Sequence, residues 1–154
     1  MTRQQRESIF ERLTSNVEFG EGWVRPLEID RSGLTGAMKL GVKRALKQLK
    51  VKPGDEIIMD GPINYLARRY KRVQCLIDAD ALVPLVSAAS VYAKVRRDRF
   101  MIELAARHPS YGFDQHVGYA TKQHLAALNQ FGSLKRIHRQ FFAPIQALNE
   151  LNLW

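Results

Sequence analysis

Two apolar runs, EIIM at 56–59 and VQCLI at 73–77, constrain the fold of this chain more than any other feature. Both are too short for buried helices. Pro53-Gly54 precedes the first and Gly61-Pro62 follows it, so the two runs read as short buried strands set off by turns. Ahead of them, Leu34, Met38, Val42, Ala45, Leu46 and Leu49 recur at steps of three and four, which predicts an amphipathic helix over 28–49 with Lys39, Lys43, Arg44 and Lys47 outward. Behind them, 87–106 reads as a long helix that Ser87 or Ser90 can cap and that His108-Pro109 ends. Helices alternating with strands make an α/β fold, and ligands of such sheets gather beyond the carboxyl ends of the strands. Asp60 and Asp80 are expected there, one at the end of each run.

The rest of the chain fits one domain, as expected for 154 residues, with 107–154 as its helical and loop part. Residues 2–14 predict a helix with Thr2 as cap. Residues 17–24 alternate like a strand, although Gly20 and Gly22 interrupt the pattern. Residues 111–121, rich in glycine and aromatics, follow no period and read as an ordered loop. A helix is expected over 121–131 with Gly132 as its stop, and the tail from Lys135 begins basic and ends apolar, as a segment that packs back does. No apolar run nears the roughly 20 residues of a membrane span and the first residues lack a signal-peptide core, so a cytoplasmic protein is expected. A lone Cys75 excludes an internal disulfide and a thiolate zinc cluster, and its place in the second run predicts a buried, inert thiol.

Charge narrows the partner. With 24 Lys and Arg against 15 Asp and Glu, the net charge is +9, which points to a polyanion. Lys94, Arg97 and Arg99, with Arg68, Arg69, Lys71 and Arg72, could track a phosphate backbone, or simply form a solvated face. Two aspartates at one sheet edge are the least that holds a hard divalent cation such as Mg²⁺. The competing readings are a turn residue for Asp60, in an Asp-Gly pair, and a solvated loop residue for Asp80, with Asp78 as rival. Asp98 is expected to pair with Lys94 on the helix surface and to play no catalytic part. His116, His124 and His138 fit no zinc spacing and read as separate surface or capping residues. Tyr119 could stack on a sugar or base, or pack within its loop.

These segments together resemble a known family. The run SAASVYAKVRRDR at 87–99 is similar to the helix signature of type 2 ribonuclease H (ribonuclease HII). MDG at 59–61, DADALVPLVSAAS at 78–90, YGFDQHVGYATKQHL at 111–125, IHRQFFAPI at 137–145 and EID at 28–30 follow the family's order and approximate spacing. The resemblance implies an RNase H-like fold and an endonuclease, dependent on Mg²⁺ or Mn²⁺, that cuts RNA in RNA–DNA hybrids and at single ribonucleotides embedded in DNA duplexes. It implies that Asp60 and Asp80 take the places of the family's third and fourth carboxylates, and that Tyr119 is the tyrosine that stacks on the deoxyribose at the RNA–DNA junction. Lys94 and Arg97 are expected to contact the duplex, and a monomer is expected. Asp78 stands where the family often has lysine. The family's first two carboxylates, an Asp-Glu pair ahead of a Gly-Arg-Gly loop, have no counterpart here, so the chain resembles a member lacking its N-terminal segment. That implies an incomplete mixed sheet without the first two strands of the order 3-2-1-4-5, and little hydrolytic activity. A non-catalytic basic nucleic-acid-binding module and a non-functional fragment are the alternatives.

Overall fold

The computed structural model describes residues 1–151 of the chain, and residues 152–154, the end of the apolar tail, lie outside the described residues. The elements are α1 (Arg3–Thr14), α2 (Pro26–Gln48), β1 (Glu56–Asp60), β2 (Arg72–Leu76), α3 (Ala79–Leu82), α4 (Pro84–Arg107), α5 (Phe113–His116), α6 (Lys122–Phe131) and α7 (Ala143–Leu151). The backbone divides into two compact units, one of Met1–Val24 with Leu34–Val95, the other of Arg25–Gly33 with Arg96 onward. No helix among the described residues is long and apolar enough to cross a membrane.

In the first unit β1 and β2 pair in parallel, with Glu56 opposite Arg72 and Asp60 opposite Leu76. The expected mixed sheet is therefore a two-stranded parallel one among the described residues. Residues 17–24 belong to no β-ladder, contrary to the expected strand. Their backbone is taken up by a helix instead: the Glu21 N–H donates to Gln48 Oε1, and Arg44 donates to the Trp23 carbonyl. Glycine is what permits this approach, because a Cβ at Gly22 would fall 1.8 Å from the Gly41 carbonyl oxygen and one at Gly20 would fall 2.4 Å from that of Ala45. Phe19 and Phe10 both stack on Tyr92, at 4.0 and 5.1 Å between ring centroids, and the Tyr92 hydroxyl donates to Glu21. Thr2 caps α1 as expected and forms a reciprocal capping box with Gln5.

Two helices differ from expectation in instructive ways. α2 starts at Pro26 and is broken at Gly33 (φ 68°, ψ 177°), a conformation that a residue with a Cβ rarely adopts. α4 starts at Pro84, so Ser87 and Ser90 lie inside it and not at its cap; proline is suited to a first helical turn because its missing N–H has no partner there anyway. Cys75 is half-buried in β2, less enclosed than expected.

The second unit has a closed apolar core of Leu104, Ala105, Tyr111, Phe113, Ala127, Leu128, Ile145 and Leu148. Residues 111–121 are more regular than the expected loop: a 3₁₀ turn at Pro109–Tyr111 leads into α5, whose four residues put Phe113 into the core. Tyr111 stacks on Phe113 at 5.4 Å while its hydroxyl donates to the carbonyls of Phe131 and Gly132. α6 begins after the Thr121 cap and stops at Gly132 (φ 76°), as predicted. The Asp30 carboxylate accepts from the backbone N–H groups of Gln140 and Phe141 and so ties the segment Arg25–Gly33 to the tail.

Candidate active site

The first unit carries the acids. β1 alternates so that Glu56, Ile58 and Asp60 share one face, and with Val83, Val86 and Ser90 they line a cleft of about 760 Å³. Asp60 sits at the end of β1, exposed, as expected. Asp80 does not end β2. It stands four residues further on, exposed in the first turn of α3, because Asp78 adopts a left-handed conformation (φ 54°, ψ 34°) that breaks the strand and starts the helix. Aspartate tolerates that conformation better than most residues, so Asp78 serves as the turn residue between β2 and α3. The turn folds back onto β1, where Asp60 Oδ1 accepts from the Ala79 N–H at 3.0 Å. One carboxylate is thus oriented by the backbone one residue away from the other.

Two oxygen donors of this kind suit a hard divalent cation that keeps several of its waters. Among the described residues no group of three or more His, Cys, Asp or Glu side chains stands together as a ligand set. The basic residues of the connector divide. Arg72 pairs with Glu56 across the strands at 3.2 Å, and Arg69 lies over the Tyr70 ring at 4.9 Å. Arg68 and Arg69 share a groove of about 530 Å³ with Lys39 and Lys43 of α2, two cations expected only to point outward. Lys94 lies half-buried on α4.

The second unit joins the two other candidates. Arg97 Nη2 donates to the Val117 carbonyl at 2.7 Å and its guanidinium lies 4.7 Å from the centre of the Tyr119 ring. Tyr119 remains 56% exposed on its tight turn while the cation holds it. Asp98 is only 5% exposed, with Oδ1 3.8 Å from Arg97 Nη1. The expected surface residue lies instead on the inner face of α4, three positions after buried Val95, where helical periodicity places it.

The histidines depart furthest from expectation. His116, His124 and His138 are 5%, 5% and 8% exposed and pack on one another around Phe113. His116 stacks on His124 at 4.3 Å, and the Nε2 atoms of His124 and His138 are 3.3 Å apart. Burial, with the neighbouring His124, pushes His138 down to about 4 from an ordinary 6.5. Burial lowers His124 too, against a hydrogen bond to the Tyr119 carbonyl that favours its charged form.

A parallel strand pair with helices around it, and aspartates beyond the carboxyl ends of its strands, makes an α/β protein. The crystal structure of the ribonuclease H2 from Pyrococcus horikoshii OT3 superposes with a TM-score of 0.73, covering 98% of this chain and 78% of that one at 23% identity, a likeness of fold. The sequence matches the profile of the ribonuclease HII family over residues 1–145. It is 37% identical to a ribonuclease HII of Polynucleobacter necessarius over 150 residues, 95% of this chain and 75% of the relative. With a ribonuclease HII of Burkholderia vietnamiensis it shares 46% identity over 124 residues, 80% of this chain and 56% of the relative. The chain therefore belongs to the ribonuclease HII family, the type 2 ribonucleases H.

Proposed function

We propose that this chain serves metal-dependent endonucleolytic cleavage of RNA within RNA–DNA hybrids, including single embedded ribonucleotides, with Asp60 and Asp80 as two of the carboxylates that hold Mg²⁺ or Mn²⁺. The observation that supports the reading is the hydrogen bond from the Ala79 N–H to Asp60 Oδ1, which ties the end of β1 to the residue just before Asp80. A bound divalent cation would supply an activated water and stabilise charge developing on the scissile phosphate. Asp60 and Asp80 would hold it, and the Ala79 N–H would fix the Asp60 carboxylate for that task. Tyr119, steadied by Arg97, would stack on the deoxyribose beside the ribonucleotide, and Arg97 and Lys94 would contact phosphates. The 2′-hydroxyl is what sets the substrate apart from DNA.

With two carboxylates at the edge and no larger ligand group among the described residues, the 154 residues alone should bind such a duplex far better than they cut it. The test measures binding and cleavage of two duplexes, identical except for one ribonucleotide, with and without Mg²⁺ or Mn²⁺. Tighter, cation-enhanced binding of the ribonucleotide duplex, weakened by Asp60→Asn, supports the proposal. Salt-dependent binding that ignores both cation and ribonucleotide would instead identify a basic nucleic-acid-binding module, the reading that the +9 charge favours.

A further inference from the structure

The buried histidines form a directional chain whose proton positions follow from its end groups. At one end the Leu134 N–H, a donor only, points at His138 Nδ1 from 2.9 Å, so that nitrogen accepts. At the other end His124 Nδ1 lies 3.0 Å from the Tyr119 carbonyl, an acceptor only, so that nitrogen carries a hydrogen and donates. A neutral His124 then has a bare Nε2, and His138 Nε2–H donates to it across 3.3 Å. Every link agrees with both rings being neutral. His116 is fixed in the same manner, accepting from the Gly118 N–H at Nδ1 and donating from Nε2 to the Tyr111 carbonyl. All three rings therefore have both nitrogens engaged, and none is left over for acid–base work or a metal.

What the chain terminates on is the turn that presents Tyr119. The Tyr119 carbonyl also accepts from the Thr121 N–H at 2.8 Å, and the Tyr119 N–H donates to the His116 carbonyl at 2.9 Å. Val117 (φ 42°) and Gly118 (φ 84°) both hold left-handed conformations there, so the turn depends on such ties to keep its shape. We infer that His124 and His138 are positioning residues: through the Leu134–His138–His124–Tyr119 hydrogen-bond chain they fix the backbone beneath an exposed ring that must meet a sugar in one orientation. The inference rests on the proposed role of Tyr119, but the chain itself can be tested apart from that role.

Two readouts do this. Amide hydrogen exchange over 118–121 should rise in His124→Phe, which keeps a ring against Phe113 and removes both hydrogen bonds. It should return towards the parent in His124→Asn, whose amide can donate to the Tyr119 carbonyl. Should His124→Phe fail to fold, His138→Asn carries the same test, since it can accept from Leu134 but cannot donate across to His124. The second readout is Kd for a duplex with one ribonucleotide. His124→Phe should weaken it about tenfold in the parent and leave it unchanged in a Tyr119→Ala background, because a residue that acts through Tyr119 has nothing to act on there. Exchange at 118–121 that is indifferent to both histidine variants overturns the inference, as does an equal loss of binding with and without Tyr119. If Tyr119→Ala alone leaves binding unchanged, the reading of Tyr119 fails and the exchange result decides the hydrogen-bond chain by itself.

Discussion

In the first unit the groups offered for chemistry stand in water: Asp60 and Asp80 are exposed, and Leu82 and Leu85 of the same unit are 69% and 67% exposed. In the second, three imidazoles are sealed around Phe113, which is 1% exposed, with every ring nitrogen bonded. A carboxylate keeps its charge most readily in solvent, whereas an imidazole with both nitrogens bonded to fixed partners is held most rigidly when buried.

Four changes should sharpen or break that contrast. The largest effect is expected from Phe113→Ala, which should cost about 3–5 kcal/mol in denaturant unfolding, while Leu85→Ala should stay within about 0.5 kcal/mol. Comparable losses would mean that the first unit is better packed than its exposure indicates. Next comes pH. His138 has a folded value near 4, below its ordinary 6.5, so its contribution is present above 6.5 and is lost as pH falls from 6.5 to 4. That loss should be on the order of 3 kcal/mol and absent from His138→Asn. A smaller change, about 1 kcal/mol, should follow Thr2→Ala, which removes the cap of α1. Smallest is Asp60→Asn in stability, within about 0.5 kcal/mol, because the amide oxygen can still accept from the Ala79 N–H. A large loss there would make Asp60 a structural residue.

The two strands, α1 with its Thr2 cap, α6 with its Gly132 stop and the end of α4 were legible because each rests on local signals: a short apolar run, a capping residue or a breaker. What was not legible depends on groups far apart in sequence. Residues 17–24 alternate like a strand, yet Gly20, Gly22 and Gly41 let them lie on α2, an approach visible only once the helix is in place. Asp60 stands at the end of β1, where the apolar run places it, whereas the place of Asp80 turns on one left-handed residue, Asp78. Spacing of 8 and 14 residues gave no reason to join His116, His124 and His138, because an irregular turn and the Leu134–His138 segment bring them together.

The proposed site requires Asp60 and Asp80 to share one cation. Mn²⁺ titration followed by electron paramagnetic resonance, on the parent, Asp60→Asn, Asp80→Asn and the double variant, tests it most directly. Either single change should remove most of the binding and the double variant should lose little more, the non-additivity expected of ligands to one ion. Binding unaffected by either change, or two losses that simply add, would contradict it.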